Sequence, residues 1–190
     1  MHEGQPGAAP RRALVVSDSH GRLDMLHRAI MEARPFDLLI HLGDIHHGAE
    51  RIRDMAPSQV EMVAGNMDAG SSLPRSSLVA LGRHTAWLTH GDLYAVHHGI
   101  RELVREAKSR NAGMVLYGHT HCPSAVLFDS VVALCPGSIA EPRQPGGKPG
   151  YAILDMDGRG EMAISLRDVG AEAPHTVLTV PALPLRTAQN

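Results

Sequence analysis

The sequence "GHTH", residues 118–121, closes a short apolar run with two imidazoles two residues apart. Four other apolar runs end comparably, in Asp18 and His20 ("SDSH"), Asp44 ("LGD"), Asn66 and Asp68 ("GNMD") and His90 ("THG"). An isolated Asp after a strand ordinarily forms a turn or caps a helix, and a lone His there is ordinarily structural. Turn chemistry has no need of histidine. Carboxylate, carboxamide and imidazole recurring at five strand ends are donors for a divalent metal ion. The chain holds 13 histidines, with no run longer than two of the kind a tag would give, so metal chemistry is the first idea to test.

The elements that must position these groups are readable from periodicity. "RALVVSDSHG" is a β-branched apolar run feeding a polar loop, as a buried strand does. Over residues 22–34, Leu23, Leu26, Ile30 and Ala33 recur near a 3.6 period, and Pro35 closes that helix. "FDLLIHLGD" repeats the strand, "AERIRDMA" is a short helix and "QVEMVAGNMD" a third strand, giving β-α-β-α-β. The second half is strand-rich. Two strands meet at Gly82 and Arg83, a helix spans 98–110, and five short strands follow between 112 and 169. This order predicts an α/β fold with two stacked sheets and helices outside. Ligands gathered at strand carboxyl ends agree with where α/β sites form.

Composition bounds the partners. At 190 residues one domain is expected over 12–168, with 1–11 a flexible N-terminus and 169–190, rich in Pro and Ala, a tail or arm. The formal charge is -2, with 18 basic against 20 acidic residues and 3% aromatics, which argues against a polynucleotide partner. Cys122 and Cys135 form neither a CxxC pair nor a disulfide framework. No apolar stretch approaches the length that crosses a bilayer, and "ALVV" is too short for a signal-peptide core, so a cytoplasmic protein is expected. Oligomerisation stays open, with the apolar tail "HTVLTVPALPL" expected to be able to add a strand to a neighbouring copy.

The motifs "DSH", "GD", "GNMD", "HG" and "GHTH" in this order resemble those of the calcineurin-like metallophosphoesterases. Within that superfamily the chain looks most like the small prokaryotic YfcE-type phosphodiesterases, which carry a segment like "PGSIAEPR" and a strand like "YAIL". The resemblance covers residues 13–168. It implies a four-layer α-β-β-α sandwich of two mixed sheets, and two divalent ions. Asp18, His20 and His121 would bind the first ion and Asn66, His90 and His119 the second, with Asp44 bridging. Imidazole and oxygen donors without thiolate suit Mn, which we expect first, and also Fe, Zn, Ni or Co. The implied reaction is hydrolysis of a small phosphodiester or phosphomonoester by in-line attack of a metal-bridging hydroxide. Asp44, Asn66, His90 and Asp68 would form the catalytic set, with Asp68 orienting a ligand histidine, and Asn66 and Arg143 would contact the substrate.

Two departures qualify that expectation. Many relatives carry a histidine directly after the Asn of "GN", where it is thought to protonate the leaving oxygen, whereas this chain has Met67. A thioether donates no proton. Substrates with good leaving groups, or another donor, are therefore expected; for His41, His46 and His47 a structural role, or one supporting a ligand from behind, is favoured over a catalytic one. The chain also reads "HGD" where many relatives have "HGH", placing Asp92 near the centre. Readings from other classes are a non-catalytic metal-binding scaffold for protein contacts, and a nuclease.

Overall fold

The structure, a computed structural model, describes residues 11–56 and 59–182. Its first half is the expected βαβαβ unit: β1 (Arg12–Val16), α1 (Leu23–Ala33), β2 (Leu38–His41), α2 (Ala49–Met55) and β3 (Gln59–Met62). The three strands pair in parallel, with Val16 opposite His41 and His41 opposite Met62, so they end at one edge. α1 buries Leu26, Ala29, Ile30 and Ala33, the stripe its period predicts. It stops at Arg34, whose extended ψ of 147° is the conformation that a following proline imposes.

The second half supplies β4 (Ser76–Leu81), β5 (His84–Thr89), α3 (Arg101–Ser109), β6 (Met114–Leu116), β7 (Ser124–Phe128), β8 (Val131–Cys135), β9 (Gly150–Met156) and β10 (Met162–Asp168). Two mixed sheets result, ordered β4-β5-β6-β8-β7 and, completed by one further strand, β10-β9-β1-β2-β3. An inter-sheet core of Val15, Ile40, Leu88, Leu116, Leu134 and Leu154 joins them. A second core packs α1 and α2 on the larger sheet, and a third packs α3 on the smaller around Trp87 and Val115. This is the four-layer α-β-β-α sandwich. β1, β2 and β8 are buried on both faces, as central strands between two layers must be.

The C-terminal stretch departs from expectation. Thr176–Val180, read as part of a tail or arm, forms β11, antiparallel to β10 with Val180 opposite Met162. Leu178 and Val180 turn inward onto the inter-sheet core while Val177 stays exposed, so the period-2 pattern, and not the Pro and Ala around it, decides the structure. The strand is added to its own sheet. The expectations for residues 1–10 and 183–190 lie outside the described residues. Among the described residues no helix is long and apolar enough to cross a membrane.

Candidate metal centre

β1, β2 and β3 of one sheet and the parallel pair β5 and β6 of the other end at a common edge, and their loops carry the five motifs. The loops interlock through backbone: Asp18 N–H donates to Gly43 O at 3.0 Å, His20 N–H to Asp44 O at 2.9 Å and Gly118 N–H to His90 O at 2.9 Å. Such close approach explains the glycines. A Cβ on Gly65 would lie 2.0 Å from Asp44 Oδ1, and one on Gly118 would lie 1.9 Å from Ser17 Oγ. The backbone is also strained: Asp18, His20, Asp44, His119 and His121 all have φ between 43° and 67°. Non-glycine residues held in this region cluster where side chains must be aimed.

Asp18 is the hub. Its Oδ1 lies 3.2 Å from His121 Nε2 and 3.9 Å from His90 Nε2, and His90 Nε2 lies 3.5 Å from Asp44 Oδ2. His90 Nδ1–H donates to Leu42 O at 2.8 Å and His121 Nδ1–H to Glu141 O at 2.6 Å. A carbonyl can only accept, so each ring presents Nε2 to the carboxylates, the tautomer a metal ligand needs. Two groups of donor atoms form, each within 4.8 Å of one another: Asp18, His20 and His121, and Asp18, Asp44 and His90. Asp18 Oδ1 and His90 Nε2 are fully buried without a hydrogen-bond partner. Buried acceptors turned toward one another fit a shared cation. The oxygen and imidazole donors suit a divalent ion.

Protonation follows from the same contacts. Burial works against charge on Asp18 and Asp44, yet the neighbouring imidazoles outweigh it, lowering Asp18 and holding Asp44 down at about 2. Burial likewise opposes charge on His90 and His121, and the facing carboxylates overcome it and raise both. His119 is lowered by burial and by the nearby rings of His90 and His97.

A model of the calcineurin-like phosphoesterase superfamily domain matches residues 12–159, most of the chain. This chain belongs to that superfamily. It is 32% identical over 151 residues to a probable metallophosphoesterase of Methanothermobacter thermautotrophicus, spanning 76% of this chain and 85% of the relative. It is 28% identical over 189 residues to the phosphodiesterase YfcE of Escherichia coli, spanning 85% and 96%. A conserved protein of Streptococcus pneumoniae, a predicted phosphoesterase, superposes with a TM-score of 0.77 at 26% identity, over 92% of this chain and 99% of that one.

Of the superfamily-type ligand set, Asp18, His20, Asp44, His90 and His121 come together in the two compact groups, whose common member is Asp18. Asn66 and His119 stand on the wall of a cleft of about 390 Å³ above them, beside Met67 and Arg143. Asn66 and Met67 are exposed, and Met67 N–H holds Asp44 Oδ1 at 2.9 Å. A larger hollow of about 540 Å³, around Arg12, Phe36 and Asp155 at the opposite strand ends, holds none of these residues. Asp68 corrects an expectation. Its buried carboxylate accepts from Ile45, His46 and Gly65 N–H at 2.8–3.2 Å, fastening the loops of Asp44 and Asn66 instead of orienting a histidine ring. The carboxylate can satisfy several amides at once, which a ring N–H partner would forgo.

His41 is structural. Its buried Nδ1 accepts from Gly43 N–H at 3.2 Å, its Nε2 meets Ser19 Oγ at 2.9 Å, and burial lowers its pKa to about 4. Sequence reasoning missed Arg75, which donates to Gly65 O at 2.7 Å and to Asp92 at 2.5 Å. That contact explains the "HGD" departure: Asp92 anchors the arginine that clamps the "GN" loop. Arg75 carries no local signal because its partners are 10 and 17 residues away. The carbonyls of Leu42 and Glu141, which set the tautomers, are equally invisible in side-chain types.

Proposed function

We propose that this chain is a two-metal phosphodiesterase acting on small phosphodiesters. The observation that carries the reading is the pair of donor groups sharing Asp18, with unpartnered buried Asp18 Oδ1 and His90 Nε2 beneath an open cleft. Asp18, His20 and His121 would hold one ion and His90, Asn66 and His119 the other, with Asp44 serving both and Asp18 within reach of either group. Bound divalent ions, with Mn expected first, supply charge neutralisation at phosphoryl oxygens and an acidified water.

The chain's own residues argue for a diester. Among the described residues Arg143 is the one side chain on the cleft wall that is cationic without protonation of an imidazole, and it would give a phosphoryl oxygen a partner beside the bound ions. Beside the cleft, a recess of about 190 Å³ lined by His46, His47, Met67 and Ser71 leaves room for the second ester group. Met67 offers that group an apolar contact, 55% exposed, and no proton. Small substrates agree with the lack of basic excess. A metal-binding scaffold would share the buried ligand atoms, but it gives no role to the open cleft and recess above them.

The test is hydrolysis of bis(p-nitrophenyl) phosphate and p-nitrophenyl phosphate by chelator-stripped protein, before and after Mn²⁺, with Asp44→Asn alongside. We expect metal-dependent turnover, faster on the diester, and a loss of about 10²-fold or more in the variant. Folded protein inert with every divalent ion would favour the scaffold. Faster monoester turnover would reassign the substrate class.

A further inference from the structure

The two ligand histidines with buried Nδ1 atoms hand that proton to backbone carbonyls, Leu42 for His90 and Glu141 for His121. His20 is different. Its Nε2 faces His121 Nε2 at 3.4 Å, inside the first donor group, and its Nδ1 faces His46 Nε2 at 3.2 Å. The His20 and His46 rings meet edge-on, with centroids 5.1 Å apart and planes at 87°. An in-plane N–H of one ring therefore meets the other ring's nitrogen.

We infer that His46 is the positioning residue for His20, accepting its Nδ1–H through Nε2 and so presenting His20 Nε2 to a metal ion. The inference rests on the metal-binding reading and adds a residue to it. To ligate through Nε2 a neutral imidazole keeps its proton on Nδ1, and that N–H needs an acceptor. His46 is the acceptor the structure provides. The backbone points the same way: His46 has φ of 62°, and in the "GDIHH" loop it shares the left-handed region with Asp44. Strain at a residue outside the donor groups is accounted for if its ring must be aimed at one of them. Asp68 holds that conformation, taking the His46 N–H at 2.8 Å. His47 next door is exposed and lines only the neighbouring recess, whereas His46 also lines the cleft that contains His20.

The experiment is a Co²⁺ titration of chelator-stripped full-length protein, followed by visible absorption and by competition with a chelating dye. His20→Ala identifies the binding event that belongs to the first donor group. We expect His46→Ala to weaken that event by about tenfold to a hundredfold and to alter its Co²⁺ spectrum, the second event staying put. His46→Gln, whose amide oxygen reaches to the Nε2 position and accepts, should restore most of both. Equal melting temperatures of the two metal-free variants would place the difference at the metal. Wild-type affinity in His46→Ala, or equal damage in the Ala and Gln variants, overturns the inference while wild-type protein still binds metal. Absence of Co²⁺ binding by the wild type would instead overturn the metal reading beneath it.

Discussion

Asp18 Oδ1 sits 3.2 Å from His121 Nε2, while the other nitrogen of that ring is fixed on the Glu141 carbonyl. Without metal, only a second proton on His121 reconciles the two facing acceptors, and its pKa is accordingly raised by Asp18 against the opposing effect of burial. His90 repeats the arrangement with Asp44 and Asp18. Protons and metal ions thus compete for the same atoms.

Metal affinity should therefore rise with pH through the raised pKa values of His90 and His121, above the ordinary imidazole value of about 6.5. Calorimetric Mn²⁺ titrations in two buffers of different ionisation enthalpy, from about pH 6 to 8.5, would read both affinity and proton release. Affinity flat across that range, with no proton released, would mean the rings are already free of the second proton.

Stability of the metal-free protein should follow the opposite course. A raised histidine pKa adds stability that is complete below the unfolded value, near 6.5, and is lost as pH climbs through the folded value. Asp44, depressed from 3.8 to about 2, adds stability present above 3.8 and lost as pH falls toward 2. His41, lowered to about 4, and His119, also lowered, add stability that is lost as pH falls below about 6.5. The metal-free protein is thus expected to be most stable near neutrality, and excess Mn²⁺ should move that maximum upward. Denaturant melts at several pH values check this. A metal-free maximum above about pH 8 would contradict the assigned pairs.

Gly65→Ala tests whether loop proximity builds the site. The new Cβ would lie 2.0 Å from Asp44 Oδ1 and 2.4 Å from Asp44 N, and the backbone atom cannot swing away. We expect a loss of about 1–3 kcal/mol in stability, together with loss of metal from the group containing Asp44 and His90. Gly70→Ala is a control in open space, although its φ of 82° makes some strain of its own. Full metal content in Gly65→Ala would show that the "GN" glycine is dispensable.

How much of this was readable in advance depends on the kind of interaction. β1, β2 and β6 are short apolar runs, so their position and the ligands at their ends were plain in the letters. β11 was not, because its inward Leu178 and Val180 sit among prolines and threonines that resemble a loose arm. Asp68 is legible as important from its motif, but its partners are not. Its three amides belong to Ile45, His46 and Gly65, and backbone donors carry no residue-type signal. The Arg75 clamp on Gly65 and Asp92 is a long-range ion pair that no local pattern encodes.

Arg143 offers the sharpest test of substrate placement. Its backbone N–H donates to His121 O at 3.3 Å, while its exposed side chain lines the cleft with Asn66 and His119. Truncating the side chain leaves that backbone bond, and with it the position of His121, in place. A guanidinium bonded to a phosphate oxygen contributes about 1.5–3 kcal/mol. Arg143→Ala should therefore raise KM for bis(p-nitrophenyl) phosphate by about tenfold or more with kcat changed much less, and Arg143→Lys should recover part of it. Metal content should be unchanged in both variants. Should KM stay at the wild-type value in Arg143→Ala, the arginine is a solvated loop residue and the phosphate is held by the metal ligands alone.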